Sequence, residues 1–428
     1  MRNTRPKTLD VLIADKHAGT LTELPSGKYR FEYAAAWQAN PRAVPLSYSM
    51  PIAQKRHPTT LVQNFMWGML PDNQAVLEEW ARRYRVSPSN PFALLTNIGE
   101  DCPGAVQLVP EGSELAGREN VKWLKPGELE ARIVRLRQEP WAARLDGDPG
   151  QFSLAGAQAK TALYRVNKRW GIPRGRTPTT HILKPETGRV PGIAANEHFC
   201  LLLARAAQMP AAISDVLVVQ DIPVIIVERF DRRRVSSGVV RIHEEDMCQA
   251  LGLNPRKKYQ SDGGPGAPEI MALLENSNNP LVDRDRFMRA LALNFIIAGT
   301  DAHARNYSII YAPGGAFRLA PLYDVISDLP YARNVRKSSL AMTIGGEKVV
   351  SQILPRHWEA LASSVRYSKD AAVGHVRALA TRLPDLANQV RRECAEQGLK
   401  AGIVDTLTDE IGKRCAALVR TYGAEISA

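Results

Sequence analysis

The sequence is poor in cysteine, and what it has is unpaired in spacing: Cys102, Cys200, Cys248, Cys394 and Cys415 are scattered, odd in number and form no C-x-x-C motif. Such a set builds no disulfide framework and fits buried fillers in a reducing compartment. Long apolar runs are missing as well. The opening Met1-Arg2-Asn3-Thr4-Arg5-Pro6-Lys7 has no apolar segment behind it. Nor does any run of about 18 apolar residues follow, so neither a signal peptide nor a membrane span is expected and a cytoplasmic location is. The eight histidines form no H-E-x-x-H or paired-ligand spacing, which argues against a metallohydrolase. Two phosphate-binding fingerprints, G-x-G-x-x-G and G-x-x-x-x-G-K-[ST], are absent. The net charge is +12, yet basic residues are spread along the chain without a Lys/Arg tract, so charge alone does not define a nucleic-acid binder. There is no internal repeat or low-complexity tract. The remaining class is an ordinary 428-residue globular chain, long enough for two or three domains.

What is present is most informative between Gly299 and Asp324. Phe287, Leu291 and Phe295 recur at i, i+4 and i+8, so a buried helix runs into Gly299, which can end it and release a loop. The loop reads Thr300-Asp301-Ala302-His303-Ala304-Arg305-Asn306. Tyr307–Tyr311 and Phe317–Leu319 then read as strands joined by Ala312–Ala316, a hairpin that brings Leu322-Tyr323-Asp324 back beside Asn306. A carboxylate at Asp301 can accept the proton of an attacking hydroxyl, while the Asn306 amide oxygen and the Asp324 carboxylate suit Mg²⁺ on nucleotide phosphates. Either aspartate alone reads equally as a turn cap or a surface ion-pair partner. The ordered triple points to a phosphotransferase.

The rest of the chain reads in four parts. Residues 1–110 open with strands around Val11–Ile13, Leu21 and Tyr29-x-Phe31-x-Tyr33. A Pro-bounded Pro45–Pro51 segment follows, then short helices over Val62–Met69 and Phe92–Ile98 flanking the basic Ala81–Arg85. Residues 111–150 form a helical and loop connection ending in Asp146-Gly147-Asp148-Pro149-Gly150, residues 151–240 a sheet-rich nucleotide lobe, and residues 241–428 a helical lobe with helices over Lys369–Leu383 and Thr406–Tyr422. The fold class expected is α+β: a bilobal protein-kinase-like core behind a small β-rich N-terminal subdomain.

Nucleotide elements lie in the expected lobe and order. Phe152–Leu163 carries a run of small residues where backbone can approach phosphates. Thr180-His181-Ile182-Leu183-Lys184 reads as a strand ending in a cation suited to α- and β-phosphates, or in a lysine that snorkels. Asn196-Glu197 opens a helix, where Glu197 either pairs with Lys184 or favours the helix N-terminus. Val224–Val227 runs into Glu228-Arg229-Phe230, the kind of strand end whose backbone can meet adenine.

Together, Ser153–Leu163, Val227–Arg232, Glu245–Gln249, Lys258-Tyr259-Gln260-Ser261-Asp262-Gly263-Gly264-Pro265-Gly266 and Thr300–Asn306 resemble the HipA family, the serine/threonine kinase toxins of bacterial HipBA modules. The N-terminal Leu46–Pro51, Gly68–Asp72 and Ile98–Gln107 extend the resemblance to nearly the full length. It implies Asp301 as the catalytic residue and Asn306 and Asp324 as Mg²⁺ ligands. ATP would be held by Ala155, Gly156, Ala157, Gln158 and Lys160 of the phosphate loop, by Lys184, His303 and Asn306, and by the backbone of Glu228 and Phe230. Ser153 would be the autophosphorylated, inactivating position. The implied partners are a HipB-like helix-turn-helix antitoxin, operator DNA mainly through that antitoxin, and a protein substrate such as glutamyl-tRNA synthetase or another aminoacyl-tRNA synthetase.

Two features depart from the family pattern: Ala159 stands where a Glu usually precedes the loop lysine, and the substrate-facing loop Pro185–Ala195 is short, with Gly and Pro residues suited to a mobile loop. Arg82, Arg83 and Arg85 suit a neighbour of DNA or a solvated basic face. A small-molecule phosphotransferase on the same core and a non-catalytic co-repressor binding antitoxin and DNA stay open.

Overall fold

A computed structural model describes residues 7–113, 117, 120–145, 148, 152–154, 156–188, 190–332, 337–399 and 402–423. The chain divides into two compact units: Met1–Thr187 with Val218–Arg256 and Ile309–Phe317, and Gly188–Leu217 with Lys257–Ser308 and Arg318–Ala428. Among the described residues no helix is long and apolar enough to cross a membrane. The expected α+β class is what the elements show. All five cysteines are buried thiols outside any disulfide.

The first unit begins with β1 (Lys7–Ile13), β2 (Lys16–Glu23), β3 (Tyr29–Tyr33) and β4 (Val106–Pro110), an antiparallel sheet in the order β3-β2-β1-β4. The alternation read in Tyr29, Phe31 and Tyr33 is real: these three are buried and their neighbours Arg30 and Glu32 are not. The Tyr33 hydroxyl donates to the Met50 carbonyl (2.6 Å) and accepts from Leu46 N–H (2.7 Å), which pins the Pro-bounded segment around a tight turn closed by Met50 N–H on Ser47 O (2.9 Å). Helices Thr59–Gly68, Gln74–Tyr84 and Pro91–Ile98 cover this sheet. The first starts three residues before Val62, and the basic Ala81–Tyr84 belongs to a helix of its own that sequence reading did not separate. Its signal was there: Asn73 caps it through its side-chain oxygen, and Val76, Leu77, Trp80 and Ala81 line its buried face.

A second sheet comprises β5 (Val121–Trp123), β6 (Thr161–Val166), β7 (Arg169–Pro173), β8 (His181–Pro185), β9 (Ser214–Val219) and β10 (Ile222–Glu228) in the order β5-β7-β6-β8-β10-β9. At the end of β10 lies a buried ion cluster. Arg229 and Arg232 grip Asp231 at 2.7 and 2.8 Å, and Arg232 and Arg241 each reach Asp101 at 3.0 Å. Thr179 adds its backbone N–H (3.0 Å) and hydroxyl (2.7 Å) to the same Asp101 carboxylate. Burial alone would raise the Asp101 pKa, but the Arg232, Arg241 and Arg229 guanidiniums and Thr179 hold it well below the carboxylate range.

Glu245 is the opposite case. It is fully buried; Oε1 accepts from Tyr48 N–H (2.7 Å) and the Tyr311 hydroxyl (2.5 Å), while Oε2 has no hydrogen-bond partner among the described residues. Burial pushes its pKa up to about 7, reinforced by Asp246 and opposed by Tyr311, Ser47 and Tyr48. The folded state therefore holds this proton more tightly than the unfolded chain, whose glutamate titrates near ~4.3. Its contribution to stability is present below that value and is lost as pH rises through about 7. Thermal melts should show Glu245→Gln losing less stability than wild type between pH 5 and pH 8; parallel curves would refute this.

The second unit is helical: Ile193–Ala206, Ala267–Leu274, Pro280–Ile296, Pro355–Ser364, Lys369–Glu396 and Ile403–Gly423. Lys369–Glu396 packs against Ile403–Gly423, Pro280–Ile296, Pro355–Ser364 and Ile193–Ala206. It also continues through Pro384 to Glu396, beyond the expected end at Leu383. One lost backbone bond is outweighed by the buried row Leu379, Leu383, Ala387, Val390 and Cys394 on either side. Trp358 Nε1 donates to the Tyr422 hydroxyl (3.1 Å), closing the core around Phe295.

Candidate active site

The helix Pro280–Ile296 delivers the loop. Phe287, Leu291 and Phe295 are buried as their spacing required, and Arg414 caps the helix end by donating to the carbonyls of Ile296 (2.8 Å) and Phe295 (2.9 Å). The left-handed residue that ends the helix is Ala298 (φ 50°), not Gly299. Gly299 serves close approach instead: its N–H donates to Asn294 O (2.7 Å), and a Cβ there would fall 2.3 Å from Asn294 Oδ1.

Beyond it the loop is tied internally. His303 N–H donates to Asp301 O (2.8 Å), Asn306 N–H to His303 O (2.9 Å), and Asn306 Nδ2 to Asp301 O (3.0 Å). The last bond commits the Asn306 amide nitrogen and leaves the amide oxygen as the atom presented for other use. Asp301 is exposed, whereas His303, Arg305 and Asn306 are buried. The sequence-predicted strands form at Ser308–Tyr311 and Phe317–Leu319, with Ala320 N–H donating to Ser308 O (2.8 Å) at the hairpin base. Tyr323 then donates to Arg305 O (2.8 Å) and meets the Ser308 hydroxyl (2.6 Å), anchoring Asp324 next in sequence. Asp324 adopts φ 56°, a left-handed conformation that Asp tolerates and that is concentrated at functional sites.

Burial and then Lys258 lower the His303 pKa, while the charges of both Asp301 and Asp324 oppose them. Two supports were not legible in the sequence. Asn196, read as a helix opener, is fully buried and brackets Ser327, donating to its carbonyl (2.7 Å) and accepting its N–H (2.9 Å). The second is Tyr259, whose hydroxyl donates to Asp301 Oδ1 at 2.5 Å. The helix itself begins at Ile193 behind Gly192 (φ 74°), three residues before the expected start. Glu197 thus sits beyond the first turn, fully buried, and the loop after Lys184 ends earlier than Ala195.

In the first unit, Lys184 lies on β8 opposite Ile225 of β10 and is nearly buried. Glu228 closes β10 opposite His181; Arg229 N–H donates to Thr180 O (2.9 Å) and Phe230 follows. Gly156 has φ 96°, and a Cβ there would fall 2.5 Å from Lys160 Nζ, so the lysine crosses directly over the glycine. Asp72 N–H and Asn73 Nδ2 donate to the carbonyls of Gly156 and Ala157, each at 3.3 Å. Gln158 is half-buried beside them, and Ala159 is buried. Ser153 is fully buried, its hydroxyl donating to Met69 O at 2.5 Å. Ala155 lies outside the described residues, as does most of the 146–150 boundary cluster.

An exposed aspartate, an asparagine five residues on and a second aspartate behind a hairpin, following in sequence a sheet that carries Lys184 and Glu228, define a protein-kinase-like fold. The chain belongs to the HipA family. The family's HipA-like C-terminal domain matches residues 152–387 and its HipA N-terminal domain residues 9–109. The chain is 34% identical over 425 residues to the putative kinase Y4mE of Sinorhizobium fredii, covering 97% of this chain and 99% of that protein. It is 27% identical over 406 residues to the serine/threonine-protein kinase toxin HipA of Shewanella oneidensis, covering 91% and 90%. Among solved structures, the Shewanella oneidensis HipA chain in a complex with HipB and operator DNA matches with a TM-score of 0.83 at 24% identity, over 98% of this chain and 100% of that one.

Proposed function

We propose that this chain is an ATP-dependent serine/threonine-protein kinase toxin of a type II toxin–antitoxin module. The observation that carries this reading is the loop in which Asn306 Nδ2 is locked onto the Asp301 carbonyl at 3.0 Å, with Tyr323, the residue before Asp324, tied back to the same loop at Arg305 O (2.8 Å). Asp301, exposed and fixed, takes the proton of an acceptor serine hydroxyl. Lys184 and the Gly156–Lys160 turn receive the phosphates, and the backbone of Glu228 and Phe230 receives adenine.

The donor set fits Mg²⁺: the Asn306 amide oxygen and the Asp324 carboxylate are hard oxygens, and such a site takes its remaining ligands from phosphate and water. When bound, the ion would neutralise charge on the transferring phosphoryl group. A HipB-like antitoxin and operator DNA are the proposed partners, supported by the similar Shewanella assembly. An aminoacyl-tRNA synthetase as substrate rests on the family resemblance. The test is induction of the chain with phosphoproteomics of the same cells. Growth arrest with newly phosphorylated serine on a synthetase is expected; ATP binding without any transfer would revive a binding-only co-repressor, and label confined to small molecules would favour the other phosphotransferase class.

Ser153 is the proposed autoregulatory position. Its buried hydroxyl has to leave Met69 to be phosphorylated, and a phosphate cannot return there without burying an unpaired charge, which costs several kcal/mol. The Gly156–Lys160 turn would be held out with it. In titrations with a fluorescent ATP analogue, Ser153→Glu should weaken binding by about a hundredfold. Ser153→Ala should bind as wild type does, and a glutamate variant of wild-type affinity would refute the switch.

A further inference from the structure

The segment Lys258–Gly266 stands out in the sequence, and the phosphotransfer reading gives it no task. In the second unit it forms a turn wound tightly on itself. The Tyr259 carbonyl accepts both Asp262 N–H and Gly264 N–H (3.0 Å each), and Gly263 (φ 80°) donates to Gln260 O at 3.1 Å. Gly264 is required by space: a Cβ there would fall 1.9 Å from Lys257 O and 2.7 Å from Tyr259 O. At Gly266 a Cβ would fall 2.6 Å from Gln260 Nε2, while Gln260 Oε1 accepts Thr343 N–H (2.7 Å). The turn is therefore fastened at both ends, and side chains larger than hydrogen are kept from its interior.

What the turn presents is Tyr259. Its ring meets His303 edge to face with centroids 5.0 Å apart, and the Lys258 ammonium lies 5.3 Å from its centroid on the other contact. Ala304 N–H donates to Lys258 O at 3.2 Å, which docks the turn onto the catalytic loop itself. The phenol hydroxyl then reaches Asp301 Oδ1 at 2.5 Å. Asp301 is otherwise an exposed side chain on a loop: His303 and Asn306 hold its backbone carbonyl, and among the described residues no other hydrogen bond fixes its carboxylate.

We infer that Tyr259 is a positioning residue: its hydroxyl, donated to Oδ1 of Asp301, orients the carboxylate so that the second oxygen faces the acceptor hydroxyl, and the Lys258–Gly266 turn holds it in that register. The inference rests on Asp301 being the catalytic residue. A carboxylate free to rotate would spend much of its time misaligned, and small misplacements of a reacting group lower the rate without weakening ground-state binding. Tyr259 touches neither nucleotide phosphates nor adenine-facing backbone in this reading, so its loss should separate turnover from ATP affinity.

The experiment compares full-length wild type with Tyr259→Phe, which removes one oxygen and keeps the ring on His303. Initial rates of label transfer from [γ-³²P]ATP and Mg²⁺ to proteins of a cell extract are measured across ATP concentrations. Binding of a non-hydrolysable ATP analogue is followed by calorimetry, and thermal melting controls for folding. The expected result is a fall of about tenfold or more in the saturated rate, since the lost hydrogen bond has a charged partner. KM for ATP, analogue affinity and melting temperature should stay at wild-type values. An unchanged rate in Tyr259→Phe overturns the inference, as does a raised one, which would make the hydroxyl an occupant of the acceptor position. A wild-type chain that binds the analogue and labels nothing overturns the kinase reading, and the inference with it.

Discussion

Cells induced for Asp301→Asn should keep growing and show none of the phosphoserines that wild type produces, with transfer by the purified variant reduced by about 10²–10⁴-fold. The substitution is nearly isosteric, and the surrounding geometry asks for little more. The Asp301 carbonyl, which holds Asn306 Nδ2 at 3.0 Å, belongs to the backbone and is untouched. The side-chain oxygen of Asn can still accept from Tyr259. What disappears is the basic oxygen proposed to take the proton of the attacking hydroxyl, and with it part of the field that opposes the lowering of His303. Folding and antitoxin binding should therefore survive. Arrest that persists in the variant would shift the function from catalysis to binding and leave the Asp301, Asn306 and Asp324 arrangement without a use.

The parts of this site that could be read in the sequence are those where chemistry fixes residue type and spacing within one segment. Phe287, Leu291 and Phe295 announce a buried helix because 3.6-residue periodicity is local, and Asp301 and Asn306 sit on the loop it releases. Polar partners carry no period. Nothing in the sequence says that Arg414 will cap Ile296, 118 residues away, or that Asn196 will clamp Ser327, 131 residues away, yet both steady the segments that carry Asp301 and Asp324. Local rules also misled. Gly299 looked like a helix terminator through left-handed freedom; Ala298 takes that conformation, and the glycine makes room for Asn294. The helix expected over Lys369–Leu383 continues through Pro384 to Glu396, where buried residues on both sides outweigh one lost backbone bond. The Lys258–Gly266 turn was visible as a motif, but its target became visible only when folding brought Tyr259 to Asp301, 42 residues on.

Asp101→Ala should destabilise the first unit by about 3–5 kcal/mol, the penalty for removing one partner from a buried ion pair. That is a large share of the ~5–15 kcal/mol by which a typical domain is stable. Among the described residues Asp101 is the only carboxylate contacting Arg241 and Arg232 together: both guanidiniums reach its Oδ1 at 3.0 Å, and Arg232 also reaches Asp231 at 2.8 Å. Without it Asp231 faces Arg229 and Arg232 alone, Arg241 keeps Asp15 at 3.4 Å, and Thr179 loses the acceptor for its backbone N–H and hydroxyl. Ala leaves buried guanidiniums short of a countercharge, a larger penalty than the loss of any single hydrogen bond. Because the folded-state pKa of Asp101 is depressed, its contribution is fully present above the unfolded value of about 3.9 and disappears as pH falls through the folded one. The melting temperature at pH 7 should drop by roughly 10 °C, with Asp101→Asn falling less because it keeps an acceptor for Thr179. Since Arg229 and Arg232 bracket Phe230 at the end of β10, the same variant should also loosen the backbone proposed to meet adenine. Equal melting of wild type and Asp101→Ala would mean that Asp231 and Asp15 suffice to hold the three arginines, and that the cluster does not set the position of that strand end.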